Sequence, residues 1–534
     1  MLHITGIAAS AGLAVGPVKR INRASSGLTR VVLDPRREKA LFEAAVLLAK
    51  DELAELEQRA DQNDKDIFLF QRVMLDDQGL LEEIGQRISA GSGGAAAVEQ
   101  AAEVYAQRIR SIENDYLRER AADVLDACRR VVNILDGRPR ETLHLDRPCI
   151  VAADEIYPSD IVSVDRGLIL GIITAVGSTQ GHAAIISRTM GIPAVVQAGE
   201  DFLEGCDGLQ AALDGFSGEM FLEPDEATKA RFLHRMHLNR RLEGQLEQLR
   251  LAPCVTPEGQ HIALMANCSS PEDIELAMSK GADGVGLLRS EFMLMAGRMP
   301  SEEDQYCYYV SCLAAAGGKP VTVRTFDIGA DKEVEGITQK EDNPALGLRG
   351  IRLCLARPEL LETQLAALLR AAAKGPLKIM VPMIAAPEEM ARVLEMVEQV
   401  KENLRRRHLS FREDVPIGTM IETPSAALMA DQLAGMCAFF SIGTNDLTQY
   451  THAVDRVNPL VSGYYPSSSP AVEKLIRMAV EAAVAHNIPV SVCGESAADP
   501  ELALRYVSMG IRTLSMAAVS LLEVKAALIG QENP

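Results

Sequence analysis

The second half of the chain carries arginines at positions where they could bind one compact anion. Arg289 and Arg324 end two short apolar runs, and Arg349 and Arg456 follow in loops. The whole chain has 54 basic and 74 acidic residues and a net charge of −20. Converging arginines would therefore form a local positive site on an acidic protein. Guanidinium groups bind phosphate and carboxylate through paired hydrogen bonds, which predicts a phosphate ester that also carries a carboxylate. Salt bridges between loops are the alternative for any single arginine.

Two acidic residues suit a divalent cation. Glu422 ends the run PIGTMIE, and Asp446 follows the next apolar run with the neutral Asn445 beside it. Mg²⁺ binds through one or two carboxylates while it keeps several waters. A cation that bridges phosphate and carboxylate would stabilise the charge that develops during phosphoryl transfer. The sequence therefore predicts phosphoryl chemistry next to a Mg²⁺ site.

Two further residues could take part in the chemistry, and each has an ordinary structural alternative. Cys493 ends an apolar run and precedes Gly-Glu, so it is either a buried thiol or a general acid that protonates an enolate. His182 follows the loop GSTQG (177–181) and begins a short helical pattern. Free N–H groups at a helix start stabilise negative charge, so this imidazole could accept a phosphoryl group. A histidine that only caps the helix is the alternative.

The residues after Pro253 predict the element that would bring these groups together. Eight apolar runs alternate with helical segments, which is typical of a (β/α)₈ barrel. The runs lie at 262–266, 284–288, 320–326, 378–383, 416–421, 438–443, 488–493 and 512–516. In such a barrel, working side chains cluster beyond the carboxyl ends of the strands. We therefore predict a barrel over 253–534, with a doubly wound open sheet as the alternative.

The first part of the chain predicts an α/β domain that is interrupted by helices. Residues 1–20 and 148–224 are apolar and punctuated by glycine, whereas 21–147 carry helical periodicity. The predicted helices, which would form an inserted bundle, lie at 36–60, 64–76, 79–90, 95–119 and 121–136. Residues 225–252 are highly charged, with Leu or Met at helical spacing, and predict a linker helix. A peripheral helix of either domain is the alternative there.

The composition excludes several classes of protein. A net charge of −20 opposes nucleic-acid phosphates and anionic lipid, so no nucleic-acid partner is expected. The longest apolar stretch, 167–177, is about half of the ~20 residues that span a membrane, so no membrane insertion is expected. The ten cysteines are scattered without a CxxC pair, which indicates a reducing compartment and predicts a cytoplasmic protein.

Seven segments resemble the successive motifs of phosphoenolpyruvate-utilising enzymes. They are GSTQGHAAIISRTMGIPAVV, GADGVGLLRSEFML, VTVRTFDIGADK, NPALGLRGIR, PIGTMIETP, FFSIGTNDLTQYTHAVDR and VCGESAADP. The opening ITGIAASAGLAVGPV and the helical NDYLRERAADVLD are similar to the phosphoenolpyruvate–protein phosphotransferases, the Enzyme I group of bacterial sugar phosphotransferase systems. The resemblance covers essentially the whole chain.

The resemblance implies a role for each candidate residue. His182 would be the phosphorylated histidine of a swivelling N-terminal α/β domain, and Cys493 would protonate the enolate as pyruvate leaves. The substrate-binding residues would be Arg289, Arg324, Arg349, Asn445, Asp446 and Arg456, and the Mg²⁺ ligands would be Glu422 and Asp446. The inserted bundle would dock a histidine phosphocarrier protein, and the barrel would form a homodimer.

The implied activity is the first step of the sugar phosphotransferase system, from phosphoenolpyruvate through His182 to the carrier. A paralogous regulatory phosphotransferase with another carrier and a catalytically silent phosphoenolpyruvate sensor are the alternatives. The chain departs from the family pattern in two places. Gln180-Gly181 precedes the histidine where relatives have a Thr-Ser or Thr-Ala pair, and Gln71 stands where many relatives carry histidine. We expect the second departure to alter the carrier-docking surface.

Overall fold

The computed structural model divides into two compact units, Met1–Arg241 and Leu242–Pro534. It describes the chain except for residues 22–33, 60–61, 111–114, 138–144, 158–159, 161–163, 178–183, 185–186, 189–190, 295–298, 330–336, 339–340, 342, 457, 459, 467 and 531–534. His182 and the departure at Gln180-Gly181 lie outside the described residues. Within the described residues, no helix is long and apolar enough to cross a membrane.

The first unit contains an eight-stranded mixed sheet in the order β1-β8-β7-β3-β4-β5-β6-β2. Its strands are β1 Leu2–Thr5, β2 Ile7–Ser10, β3 Leu13–Arg20, β4 Cys149–Ala153, β5 Ile169–Thr174, β6 Ala194–Val196, β7 Gln210–Asp214 and β8 Glu219–Leu222. Strands β3, β4, β5 and β6 run parallel, and every residue of β4 is buried, as expected inside a parallel sheet. The predicted α/β fold is confirmed.

The described residues between β3 and β4 form five helices. They are α1 Pro35–Arg59, α2 Gln62–Met74, α3 Gln78–Ser89, α4 Gly94–Arg110 and α5 Asp115–Leu135. They share one buried apolar core, as their 3.6-residue periodicity predicts. The prediction of one helix over 95–119 is wrong, because α4 ends at Arg110 and α5 begins at Asp115. Residues 111–119 contain no glycine or proline, so the pattern alone did not reveal the end of α4.

The predicted linker segment is helical from Glu226 to Gln248, which is helix α6. Its first half is anchored to the first unit, since Phe232 is buried and Arg235 forms a 2.6 Å ion pair with Asp214. The unit boundary falls between Arg241 and Leu242, inside this helix. The first half is therefore peripheral to the α/β sheet, which was one of the two alternatives.

The second unit is a closed barrel of eight parallel strands. The strands are β9 Ala263–Cys268, β10 Val285–Arg289, β11 Val321–Arg324, β12 Leu377–Val381, β13 Ile417–Ile421, β14 Phe440–Ile442, β15 Val490–Val492 and β16 Thr513–Met516. Strand β9 pairs with both β10 and β16, which closes the barrel. The predicted (β/α)₈ barrel is confirmed, and the open sheet is excluded.

Helices surround the barrel strands and bury their apolar stripes against them. They are α7 Pro271–Ser279, α8 Glu302–Ala315, α9 Ile351–Ala356, α10 Pro358–Ala371, α11 Pro387–Arg406, α12 Pro424–Leu428, α13 Ala430–Ala434, α14 Thr444–His452, α15 Pro470–Ala485, α16 Pro500–Ser508 and α17 Leu521–Leu528. In α11, Met390, Val393, Val397, Val400 and Leu404 are buried at spacings of three and four residues. This packing fixes the strand ends that carry the candidate site.

Candidate active site at the barrel mouth

Parallel strands bring the predicted residues to one face of the barrel. Arg289 and Arg324 are the last residues of β10 and β11, and they are direct partners in the parallel register. Glu422 immediately follows β13, Cys493 immediately follows β15, and Asp446 lies in the first turn of α14, which follows β14. Carboxyl ends of barrel strands form the face on which such enzymes place their active sites.

Arg324 is a buried cation held by two carboxylates. Only 6% of the residue is exposed, and its guanidinium binds Glu291 and, at 3.2 Å, Asp327. Burial opposes the charge, but Glu291 and Asp327 outweigh it and raise the pKa of Arg324 above its ordinary value. Among the described residues, its buried Nε makes no hydrogen bond.

Arg289 places a second guanidinium group beside the first. Burial, and then the positive charge of Arg324, lower the pKa of Arg289. Within the described part of the chain, Arg289 forms no ion pair, although Glu291 and Glu495 favour its charge from a distance. Two neighbouring guanidinium groups repel one another, so an anion bound between them would be stabilised by both.

Arg349 joins the arginine site to the predicted metal site. Its guanidinium makes two pairs of hydrogen bonds, to Asp327 at 2.9 and 3.0 Å and to Asp446 at 3.1 and 3.2 Å. It also donates to the hydroxyl of Tyr450 at 3.0 Å. Burial opposes the Arg349 charge, but Asp327 and Asp446 raise its pKa above the ordinary value. The planar fork of arginine suits this double recognition of carboxylates.

Arg456 lies apart from these three arginines, at the edge of the mouth. Its side chain is exposed, and its backbone N–H donates to Gln449 at 3.2 Å. Its charge reaches Tyr465, where it partly offsets the rise in pKa that burial causes. The Tyr465 hydroxyl in turn donates to the Asn445 carbonyl oxygen at 3.1 Å. The structure therefore brings together Arg289, Arg324 and Arg349 and leaves Arg456 outside their contacts.

Glu422 is a buried carboxyl whose surroundings favour a bound cation. Its Oε1 accepts a 2.6 Å hydrogen bond from the backbone of Met383, a residue held at φ +60°. Burial, then the charges of Asp446 and Asp327, raise the pKa of Glu422 to about 8. Gly443 makes the space for its other oxygen, because a Cβ at this position would lie 2.9 Å from Glu422 Oε2.

The donor set at the mouth suits a cation that needs few protein ligands. No group of three or more His, Cys, Asp or Glu side chains with metal-binding geometry occurs in the part of the chain that the structure describes. Mg²⁺ can bind through one or two carboxylates, and Glu422 and Asp446 lie at this face of the barrel, with both Asp446 oxygens accepting hydrogen bonds from Arg349. Asn445 is already engaged, since its amide exchanges two 3.0 Å hydrogen bonds with Glu495.

Cys493 is buried among residues of the barrel strands. It belongs to a buried apolar cluster with Leu287, Met380, Met420 and Phe439. Burial raises the pKa of the Cys493 thiol to about 11, so the thiol keeps its proton at neutral pH. The two alternatives for this residue are compatible, since a buried thiol at a strand end can also serve as a proton donor.

The surroundings of His182 are partly described. Before it, Gly177 adopts φ +114°, and its carbonyl oxygen accepts a 2.8 Å hydrogen bond from Gln197. After it, Ala184, Ser187 and Arg188 are helical, and the first two of these are buried. Of the predicted loop and short helix, the structure thus describes Gly177 and the three helical residues Ala184, Ser187 and Arg188.

Several residues of the site were given no role by the sequence. Glu291 and Asp327 stand at strand ends in the sequence, but only the fold shows that they hold Arg324 and Arg349. Tyr450 and Gln364 were missed. Gln364 interrupts the apolar stripe of α10, between Leu361 and Leu365, and such a polar residue on a buried face is the signal that could have identified it.

Comparison with known sequences agrees with this geometry. Residues 243–533 match the sequence model of the PEP-utilising enzyme PEP-binding domain, where PEP is phosphoenolpyruvate. The chain belongs to the PEP-utilising enzyme family. Residues 5–120 match the N-terminal model of the same family, and 145–218 match its mobile domain. The resemblance inferred from the motifs is confirmed, and the chain is an enzyme of this family.

Three curated relatives of this family member match over nearly all of its length. A phosphoenolpyruvate-protein phosphotransferase of Bacillus sp. is 36% identical over 98% of this chain and 92% of its own length. The protein of the same name from Bacillus subtilis is 35% identical over 99% of this chain and 94% of its own length. A multiphosphoryl transfer protein of Xanthomonas campestris is 38% identical over 99% of this chain, which spans 64% of that protein.

Proposed function

We propose that the protein transfers the phosphoryl group of phosphoenolpyruvate to its own His182 and then to a histidine phosphocarrier protein, as the first step of the sugar phosphotransferase system. The observation that carries the proposal is the pair of adjacent guanidinium groups, Arg289 and Arg324, at the same barrel face as the carboxylates Glu422 and Asp446. A trianion of phosphate and carboxylate matches that arrangement. The names of the relatives that match almost end to end support the same reaction.

The reaction has two bond changes and one proton transfer. The bond between phosphorus and the enol oxygen breaks, and a bond between phosphorus and a ring nitrogen of His182 forms. The enolate of pyruvate leaves, and the Cys493 thiol donates its proton to the methylene carbon of that enolate. The raised pKa of Cys493, about 11, keeps this acid protonated at neutral pH, and water restores the proton afterwards.

The binding residues act on the charges of the substrate. Arg289 and Arg324 neutralise the phosphate, and Arg349 holds Asp446 in place, while Arg456 reaches in from the edge and Asn445 contacts the phosphate. Mg²⁺, held by Glu422 and Asp446, would supply positive charge for the enol oxygen and the phosphoryl group. The orientation of Glu422 by the Met383 N–H and the room made by Gly443 support this assignment.

The inserted helices are proposed to dock the carrier. Large apolar side chains are exposed on α1 and α2, namely Leu41, Leu47, Leu48, Leu69 and Val73. A contiguous exposed apolar patch marks an interaction surface, and these side chains are proposed to belong to one. Gln71 does not contribute to that surface, since it is fully buried and donates a 3.0 Å hydrogen bond to Asp126. The expected change of the docking surface at this position is therefore wrong, because Gln71 is a core residue.

The barrel is proposed to form the homodimer through loops around its mouth. Leu346, Leu460 and Tyr464 expose 66%, 88% and 75% of their surface there.

All ten cysteines are free, which is typical of a reducing compartment and supports the cytoplasm as the location.

Incubation with phosphoenolpyruvate, Mg²⁺ and candidate carrier proteins tests the proposal. We expect pyruvate release in an amount equal to the phosphoryl groups found on protein, with one carrier labelled in preference to the others. Preference for a regulatory carrier would identify the paralogous function. Binding of phosphoenolpyruvate without release of pyruvate would contradict the proposal and identify a sensor.

A further inference from the structure

Gln364 has a fully buried side-chain amide whose oxygen and nitrogen both form hydrogen bonds. It lies on α10, outside the barrel, and 0% of it is exposed. Its Nε2 donates to Ser290 Oγ at 3.0 Å and to the Tyr309 hydroxyl at 2.9 Å, and its Oε1 accepts from the Phe326 backbone N–H at 2.9 Å. The Phe326 N–H can only donate, so the orientation of the amide is fixed.

These bonds connect the two strand ends that carry the arginine pair. Ser290 follows Arg289, and its hydroxyl donates at 2.8 Å to the carbonyl oxygen of Arg324. Phe326 lies between Arg324 and Asp327 in the sequence. Ser290, Tyr309, Phe326 and Gln364 are all fully buried. A fully buried polar network therefore links the ends of β10 and β11, from which the two arginines extend.

We infer that Gln364 is a positioning residue for the phosphoenolpyruvate site. It touches no part of the substrate site itself. It sets the spacing of the backbone segments from which Arg289 and Arg324 extend, and so the distance between their guanidinium groups. The inference rests on the proposed function for its ligand, but the network exists without the ligand.

Only an amide of this length meets every requirement of the network. A thioether or aliphatic side chain would leave the buried Phe326 N–H without its acceptor and would remove the donor from the Ser290 and Tyr309 hydroxyls. A carboxyl group keeps the acceptor for Phe326. Because burial favours its protonated form, it also supplies one of the two donors. We therefore expect the affinity for phosphoenolpyruvate to be highest with glutamine at this position, lower with glutamate and lowest with methionine.

The chain provides a matched control at Gln305. This glutamine on α8 is also 0% exposed, but its Nε2 donates to the Pro300 carbonyl oxygen at 3.1 Å rather than to a strand end. Q305M and Q364M therefore both place a methionine in a buried glutamine site. Only Q364M removes bonds from the network behind the arginines.

The first measurement is the affinity for phosphoenolpyruvate with Mg²⁺, by titration calorimetry, beside thermal unfolding. We expect Q364M to weaken binding by about tenfold or more, the usual effect of losing a residue that orients ligands from behind. Q364E is expected to lose less, and Q305M to stay within about twofold of wild type. Equal affinities in Q364M and Q305M, at similar melting temperatures, would overturn the inference.

The second measurement is amide hydrogen exchange at Phe326 without ligand. We expect exchange at Phe326 to be at least about tenfold faster in Q364M and nearly unchanged in Q364E and Q305M. Unchanged exchange in Q364M would overturn the inference. If the wild-type protein binds no phosphoenolpyruvate, the proposed function fails, and the exchange at Phe326 still decides whether Gln364 holds the strand ends.

Discussion

At Arg324, two opposing effects act on one charge. Burial of the guanidinium group costs free energy, and its attraction to two nearby carboxylates offsets that cost. The result is a cation that stays charged while one of its N–H groups, Nε, makes no hydrogen bond among the described residues. A lysine could not reproduce this, because it presents a point charge and not a planar fork.

Arg324→Lys should therefore weaken phosphoenolpyruvate binding by about tenfold to a hundredfold, the effect of losing a charge-assisted hydrogen bond of about 1.5–3 kcal/mol. Titration calorimetry measures this loss. Arg392→Lys is the control, since Arg392 forms an exposed pair with Glu395 at 2.8 Å on α11. Equal affinity in both variants would contradict the role given to Arg324.

The thiol of Cys493 should react only at high pH. Burial raises its pKa to about 11, whereas a thiol in an unfolded chain titrates at about 8.5. Site-resolved alkylation with iodoacetamide should therefore remain slow at pH 8 and rise towards pH 11. The exposed Cys307 is the internal reference, and rapid alkylation of Cys493 at pH 8 would be the contrary result.

The raised pKa of Cys493 also predicts how the free energy of unfolding changes with pH. Between pH about 8.5 and 11, the unfolded chain loses this proton while the folded chain keeps it. The contribution of Cys493 to the free energy of unfolding is therefore constant below pH about 8.5 and falls as the pH rises above it.

At the scale of elements, short segments after the strands create the carboxylate site. Strand β12 is followed by Met383 at φ +60°, which directs its N–H to Glu422, and β14 is followed by Gly443, which leaves room for that side chain. A left-handed conformation is costly for a residue with a side chain, and such strain is common at functional sites.

Gly443→Ala should raise the Mg²⁺ concentration needed for half-maximal pyruvate release by about tenfold. The added Cβ would lie 2.9 Å from Glu422 Cβ and Oε2 and would displace that side chain. Titration of activity with Mg²⁺ measures the effect. Gly463→Ala is the control, because a Cβ there meets nothing within 4 Å, and an unchanged Mg²⁺ requirement in G443A would contradict the metal assignment.

These elements also show which features of the fold and the site sequence patterns can predict. Eight apolar runs separated by helical patterns predicted the barrel, because its period of strand and helix is regular, and the barrel placed Arg289, Arg324, Glu422 and Cys493 at one face. The partners of the arginines could not be predicted, since Asp327 meets Arg349 only when the loop after β11 has folded. Gln364 was missed because a helical pattern does not say what a buried polar side chain contacts.

At the scale of the whole molecule, the two compact units contain different parts of the machinery for the proposed phosphoryl transfer. The unit Leu242–Pro534 contains the anion and carboxylate sites, whereas His182 belongs to the unit Met1–Arg241. Each unit has its own apolar core. Phosphoryl transfer therefore requires a step between units, and the swivelling domain implied by the family resemblance would provide it.

Leu460→Lys should convert the proposed dimer to monomer. A charge placed in an apolar contact must be desolvated, which opposes association. Sedimentation equilibrium should show the average mass of this variant reduced to about half of the wild-type value at equal concentration. Leu251→Lys is the control, because Leu251 is 81% exposed and precedes the first barrel strand. A wild-type monomer would contradict the dimer.

The decisive experiment is labelling with radioactive phosphoenolpyruvate and Mg²⁺. We expect wild-type protein to take up label that is labile to acid and stable to alkali, as phosphohistidine is, and His182→Ala to take up none. His234→Ala, which changes an exposed histidine of α6, should be labelled like the wild type. Absence of label on the wild type, or full labelling of the His182→Ala variant, would contradict phosphoryl transfer to His182.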